Sequence, residues 1–236
     1  MKYSKSLIAI FTFMFAIVCV DAGTLKGHVK YEGKPPKKKR LKMDADPVCG
    51  SSHSSPVYSE NFKMSSDGSM EDALVYLKNV SYTGEAPSEP AVLDQKGCVY
   101  IPHVFGMMAG QELLIKNSDA TLHNIHSMPK VNKEFNFAMP KVVKEKKSTF
   151  AKSEPDPFYI KCDVHPWMKT WVLVSDHPFY AVTDEKGNFS IDGIPPGKYE
   201  VVCWQEKFGK RTLTAEVTIG DGDTTKDFVF SRPKKK

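Results

Sequence analysis

Residues 159–174 read YIKCDVHPWMKTWVLV and set Cys162, His165 and Met168 at three-residue steps. A thiolate, an imidazole and a thioether are soft ligands, and from one short loop they can converge on a point. Upstream, the stretch KNSDATLHNIH follows an apolar-polar run, turns at Asn117-Ser118-Asp119 and presents His123. Two imidazoles, a thiolate and a weak thioether make a trigonal His₂Cys set with an axial methionine, the donor set of one-electron copper sites. The expected ligands are therefore His123, Cys162, His165 and Met168, and the expected cofactor is one copper ion alternating between Cu(I) and Cu(II). Two other chemistries use the same residues. Zinc accepts cysteine and histidine but has little use for Met168 at this interval. Alternatively, Cys162 pairs with Cys203 as a disulfide and the histidines are surface residues.

The remaining histidines are weaker candidates. His126 lies three residues beyond His123 and so faces the other way on an extended chain. His103, with Met107 or Met108, is a candidate accessory copper-loading site, or a satisfied polar residue near a rim. His53, four residues after Cys49, forms only a lone Cys–His pair, and His28 and His177 carry no signal.

Short strands must position these groups. TLKGHVKY, DALVYLKNV, QELLIKNS, PFYIKC, TWVLVS, GNFSID, KYEVVCW and LTAEVTI are rich in β-branched and aromatic residues and bounded by Gly, Pro, Asn or Asp. No segment shows a capped helical period, so the chain is expected to be all-β and built of sandwiches.

The N-terminus has a basic start, MKYSK, then the apolar run SLIAIFTFMFAIVCV, which is short for a membrane span. It reads as a secretory leader over 1–22, with the mature chain starting at Gly23 and the protein periplasmic or secreted. Val18 before Cys19 is a poor match to a lipid-attachment signal. The formal charge of +5 over the whole chain is mild. Basic residues cluster at Lys37-Lys38-Lys39-Arg40, at 144–147 and at 234–236, as solvated runs or as docking surfaces for acidic partners. No nucleic-acid module is present. Of the cysteines after the leader, the preferred allocation is a Cys49–Cys98 disulfide with Cys203 a buried free thiol, although connectivity does not follow from sequence.

Two family resemblances organise the chain. TDEKGNFSIDGIPPGKYEVVCW at 183–204 resembles the carboxypeptidase regulatory-like (transthyretin-type) β-sandwich, with its T-D-x-x-G-x-F strand followed by P-x-G-x-Y. GTLKGHVKYEGKPP at 23–36 resembles that family's opening. Between them, NSDATLHNIH and CDVHPWM, with Pro102 and Gly110 ahead, resemble the cupredoxins, and the amicyanin branch most closely. This implies a Greek-key cupredoxin sandwich over 88–177, nested in a smaller transthyretin-like sandwich formed by 23–87 and 178–236. Insertions of this kind succeed where the two ends of a loop lie close together, so excising 88–177 is expected to leave a soluble sandwich.

The cupredoxin likeness also implies His123, Cys162 and His165 as equatorial ligands and Met168 as the axial one. The chain departs from the amicyanin pattern two residues after the cysteine, where Val164 replaces a proline. Val164, like Asn124, then has an N–H to give the Cys162 sulfur, which raises the expected reduction potential.

The function expected is a shuttle for single electrons and not an enzyme. Neither G-x-S-x-G, a phosphate loop nor H-E-x-x-H occurs. Partners would be a c-type cytochrome or a periplasmic oxidoreductase, with electrons leaving through a surface edge of His165 beside Pro166 and Trp167. A copper delivery protein without redox turnover is the alternative.

Overall fold

The computed structural model describes residues 22–232. The expected leader, apart from Ala22, and the lysines at 234–236 lie outside the described residues. No helix among those described is long and apolar enough to cross a membrane.

The chain is all-β, and its four principal sheets stack as four layers. In the first, strand Gly23–Glu32 lies between Asn188–Ile194, antiparallel, and the parallel strands Asp223–Thr225 and Phe228–Ser231. The second runs Tyr180–Val182, Leu74–Lys78, Gly197–Trp204, Leu213–Ile219. The third runs Asn136–Met139, His123–Ser127, Phe158–Lys161, Lys169–Ser175, Val104–Met108. The fourth runs Glu145–Thr149, Glu112–Asn117, Ala91–Gln95, Tyr100–Ile101.

Side-chain alternation explains the stacking. In a strand, successive residues face opposite sides. Val75, Leu77, Val201 and Cys203 of the second sheet face the first and join Leu25, Val29, Phe189 and Ile191 in one core. Their neighbours Leu74, Tyr76, Val202 and Trp204 face the third sheet and meet Val104 and Leu173 in a middle core. Val172 and Val174 then point the other way, into a core shared with Leu93, Leu113 and Ile115 of the fourth sheet. Strands buried on both faces read as continuous apolar runs, which is why LVYL, VVCW and WVLV lack alternation. Gly106 in the third sheet makes the middle layer tight, because a Cβ there would collide with the Tyr180 ring from the second.

Two findings differ from expectation. The first is a helix, Pro47–Ser51, with Asp46 as N-cap accepting from the N–H groups of Val48 and Cys49. One turn is too short to show a period. The second concerns the chain around it. Leu41, Met43, Cys49 and Val57 pack into the core between the third and fourth sheets, although they precede the expected division at 87. Leu41 N–H donates to Val57 O and Ser59 N–H to Lys39 O, closing this stretch into a lid over one end of that sandwich.

Candidate metal centre

The third sheet sets the site's frame. Strand His123–Ser127 pairs with Phe158–Lys161, which leads directly into Cys162. The loop after Cys162 is closed by its own backbone: Met168 N–H donates to His165 O at 2.9 Å, and Cys162 N–H to Met168 O at 3.2 Å. Asn124 ties the two pieces together, since its Oδ1 accepts from Asp163 N–H at 2.9 Å. The turn before His123 is held by Asn117, whose amide donates to the carbonyls of Thr121 and Met139.

His123, Cys162 and His165 come together as one potential ligand group, with donor atoms all within 4.8 Å of one another. All three are buried, His123 completely. Met168 is buried in the adjoining core at the end of the same loop. The two imidazoles turn Nδ1 toward Nδ1 at 2.9 Å, and Cys162 Sγ lies 3.8 Å from Nδ1 of His165.

The opposite edges of both rings are committed to carboxylates. His123 Nε2 lies 2.8 Å from Asp119 Oδ2, and His165 Nε2 lies 3.1 Å from Asp46 Oδ2. Each carboxylate is fixed in turn. Asp119 accepts the N–H groups of Gly97 and Cys98 at 2.7 and 2.8 Å. Those two residues sit in the left-handed region, with φ of 67° and 56°. For a non-glycine residue this conformation costs about 1–2 kcal/mol, and the Asp119 hydrogen bonds compensate. Asp46 accepts from Thr121 Oγ1 at 2.8 Å while capping its helix.

Charge follows the contacts. Burial alone would lower the His123 pKa, but Asp119 and the Cys162 sulfur hold it up at about 9. Burial would raise the Cys162 thiol. His123 and the backbone N–H groups of His165, Asn124 and Val164 outweigh it and bring the thiol below its usual value. Val164 and Asn124 were the expected donors to sulfur; His165 N–H, at 3.3 Å, is a further one. His165 itself is shifted down, chiefly by burial.

With each Nε2 beside a carboxylate, the two Nδ1 atoms face each other and the Cys162 sulfur, and they become electron-pair donors once their protons are displaced. Three electron-pair donors converging at this range are satisfied together by a cation, and the set fits a soft transition metal. The disulfide alternative for Cys162 is overturned, because Cys162 and Cys203 are both free thiols in different cores. Cys49 pairs with Cys98, with Cα atoms 5.5 Å apart.

Other expectations change. His165 does not reach the surface: it is 2% exposed, and Cys49 Sγ lies 3.8 Å from its Nε2. Its expected role as a surface edge fails because the lid covers it. His126 turns outward to Asp163 and Glu134, at 2.8 and 2.6 Å. His103 does not join Met107. Its ring is 2.7 Å from Glu206 of the other sandwich, whereas Met107 is enclosed in the inner core. Sequence reasoning missed Asp46 and Asp119. Asp119 had a signal, four residues before His123 in the same turn; Asp46 had none, being more than seventy residues from His123 and further from His165.

Residues 154–227 match a family model described as "Polysaccharide lyase family 4, domain II". That is the family matched, and not the carboxypeptidase regulatory-like one that the turns resemble. The sequence finds no match among curated proteins. Among solved structures, the chain is similar to a purple cupredoxin from Nitrosopumilus maritimus, at 22% identity over 36% of this chain and 99% of that one, with a TM-score of 0.30. It is similar to an amicyanin variant at 21% identity over 43% and 98%, TM-score 0.32. A copper-containing nitrite reductase from Thermus scotoductus is 21% identical over 42% of this chain and 25% of that one, TM-score 0.32.

Proposed function

We propose that the protein is an exported type 1 copper protein that carries single electrons, with His123, Cys162 and His165 as equatorial ligands and Met168 as the axial one. One observation carries this reading: two Nδ1 atoms 2.9 Å apart beside a cysteine sulfur, each ring held from behind by an aspartate. Bound there, copper supplies a one-electron couple. The chain's own part is to hold the donors still. The two aspartates fix ring orientation, and three backbone N–H groups withdraw charge from the sulfur. The buried ligand set and the lid that covers it favour retention of the metal over its handover to another protein.

The Cys49–Cys98 disulfide fits an oxidising compartment, periplasmic or extracellular. A c-type cytochrome or a periplasmic oxidoreductase is the partner class this chemistry calls for. The chain is read as nested, with 88–177 within 23–87 and 178–236, the lid at 39–59 serving the inner unit. Strand Gly23–Glu32 pairing with Asn188–Ile194 supports this reading.

The test is reconstitution with Cu(II). An intense visible thiolate-to-copper band is expected in the wild type and absent in Cys162→Ser, with β-sheet circular dichroism retained in both. A band that survives Cys162→Ser rejects the assignment.

A further inference from the structure

The lid that closes His165 raises the question of where an electron crosses. A cleft of about 450 Å³ opens beside the metal loop, and Pro166, Trp167 and Met168 form one wall of it. The Trp167 ring centroid is 4.9 Å from that of His165, at 38° between planes. Its indole N–H donates to Cys98 O at 3.0 Å, so the ring is held in place, and it is only half-buried. Trp167 thus bridges a buried ligand ring and an open cleft.

The facing wall is cationic. Lys39, Arg40 and Lys42 line it and are exposed, and none of them enters an ion pair among the described residues. The two carboxylates on the cleft are already engaged. Glu206 is held by His103 and Lys169 at 2.7 and 2.8 Å, and Glu60 lies 3.4 Å from Lys63. The other basic run is engaged as well: Lys147 pairs with Glu112 at 2.9 Å, and Lys146 sits over the Phe137 ring.

Resting on the copper reading, we propose that electrons cross through Trp167 into this cleft, and that Lys39, Arg40 and Lys42 dock a redox protein with an acidic rim around its cofactor. The step is outer-sphere. One electron passes from copper(I) to a one-electron acceptor such as a haem iron(III), and no bond forms or breaks. Positive charge facing negative speeds encounter by factors of about 10 to 1,000, and salt screens it.

Two measurements test this. In the metal-free protein, titration with the redox-inert paramagnetic anion hexacyanochromate(III) should broaden the Trp167 indole N–H and the amides of 39–42 ahead of those of 144–147. Broadening centred on 144–147, or nowhere, overturns the docking site whether or not copper binds. In the copper(I) protein, stopped-flow oxidation by succinylated, acidic ferricytochrome c should run about tenfold faster at low salt than oxidation by native basic ferricytochrome c. The ratio should fall toward one in a Lys39→Glu, Arg40→Glu, Lys42→Glu variant. Trp167→Leu should slow both reactions about tenfold with the visible band unchanged. Equal rates for the two cytochromes, or an unaffected Trp167→Leu, overturn the proposal. Absence of the band in the wild type would instead reject the copper reading and leave the anion result standing.

Discussion

Cys49 and Cys98 are joined by a disulfide, and each donates its backbone N–H to the aspartate that holds one histidine of the candidate site. Cys49 donates to Asp46 at 3.3 Å and Cys98 to Asp119 at 2.8 Å. One covalent bond therefore ties together the two loops that orient His165 and His123. It closes a loop of 49 residues, which in the chain-entropy model stabilises the fold by about 4 kcal/mol. The Cys49→Ser, Cys98→Ser double variant should keep its β-sheet spectrum at low temperature, melt earlier and release copper at least about tenfold faster to a chelator. Unchanged release would mean the aspartates are held without the disulfide.

The two aspartates should differ in what they support. Asp119→Ala frees only the His123 ring and the Gly97–Cys98 turn, whereas Asp46→Ala also uncaps the lid helix and releases Thr121. Both should lower copper affinity about 10- to 100-fold. Asp46→Ala should in addition speed amide hydrogen exchange across 41–57, which Asp119→Ala should leave alone.

Glu206 makes one interface between the sandwiches dependent on pH. Burial would raise its pKa, but hydrogen bonds from His103 and Lys169 hold it at about 2, below its ordinary 4.5. A carboxylate shifted down on folding stabilises fully above its unfolded value, and that stability drains away as pH falls toward the folded one. The contribution is on the order of 3 kcal/mol, lost between about pH 4.5 and 2. Urea midpoints at pH 5.5 and 3.5 should fall less steeply with pH in Glu206→Gln than in the wild type. Parallel slopes would place the acid sensitivity elsewhere.

Excising 88–177 should not leave a soluble sandwich, contrary to what the sequence motifs alone imply. The cut bares Leu74, Tyr76, Val202 and Trp204, a contiguous apolar face that now meets Val104 and Leu173. Such a product should aggregate on gel filtration, and Leu173→Ala in the intact chain should cost about 2–5 kcal/mol in chemical denaturation. A monodisperse excision product would show that the middle core contributes little.

Three residues of the candidate site lie close in sequence, which made their grouping legible, whereas His123 comes from a strand 39 residues earlier. Cys162, His165 and Met168 share one loop, and spacing alone marks them. The strands were legible too, but the layering was not. LVYL, VVCW and WVLV had the continuous apolar pattern of strands covered on both faces, yet two separate sandwiches would each need only one buried face. The lid escaped notice for a different reason. Residues 37–59 are basic, serine-rich and without period, and they gain structure from the core they land on. With the lid unseen, His165 was expected at the surface and Asp46 was not expected at all.

The pairing of Gly23–Glu32 with Asn188–Ile194 also sets an order of events during synthesis. The Thr24 hydroxyl reaches Asp192, 168 residues along the chain. A ribosome releases the first strand long before its sheet partners at 188–194 and 223–231 exist, so until then its backbone has only the contact of Lys30 and Tyr31 with Ser69 and Gly68. The inner sandwich, whose strands all lie between Ala91 and Ser175, can close meanwhile, with the lid already made and tethered ahead of it. The outer layers then close last, around a candidate site whose residues are already in place.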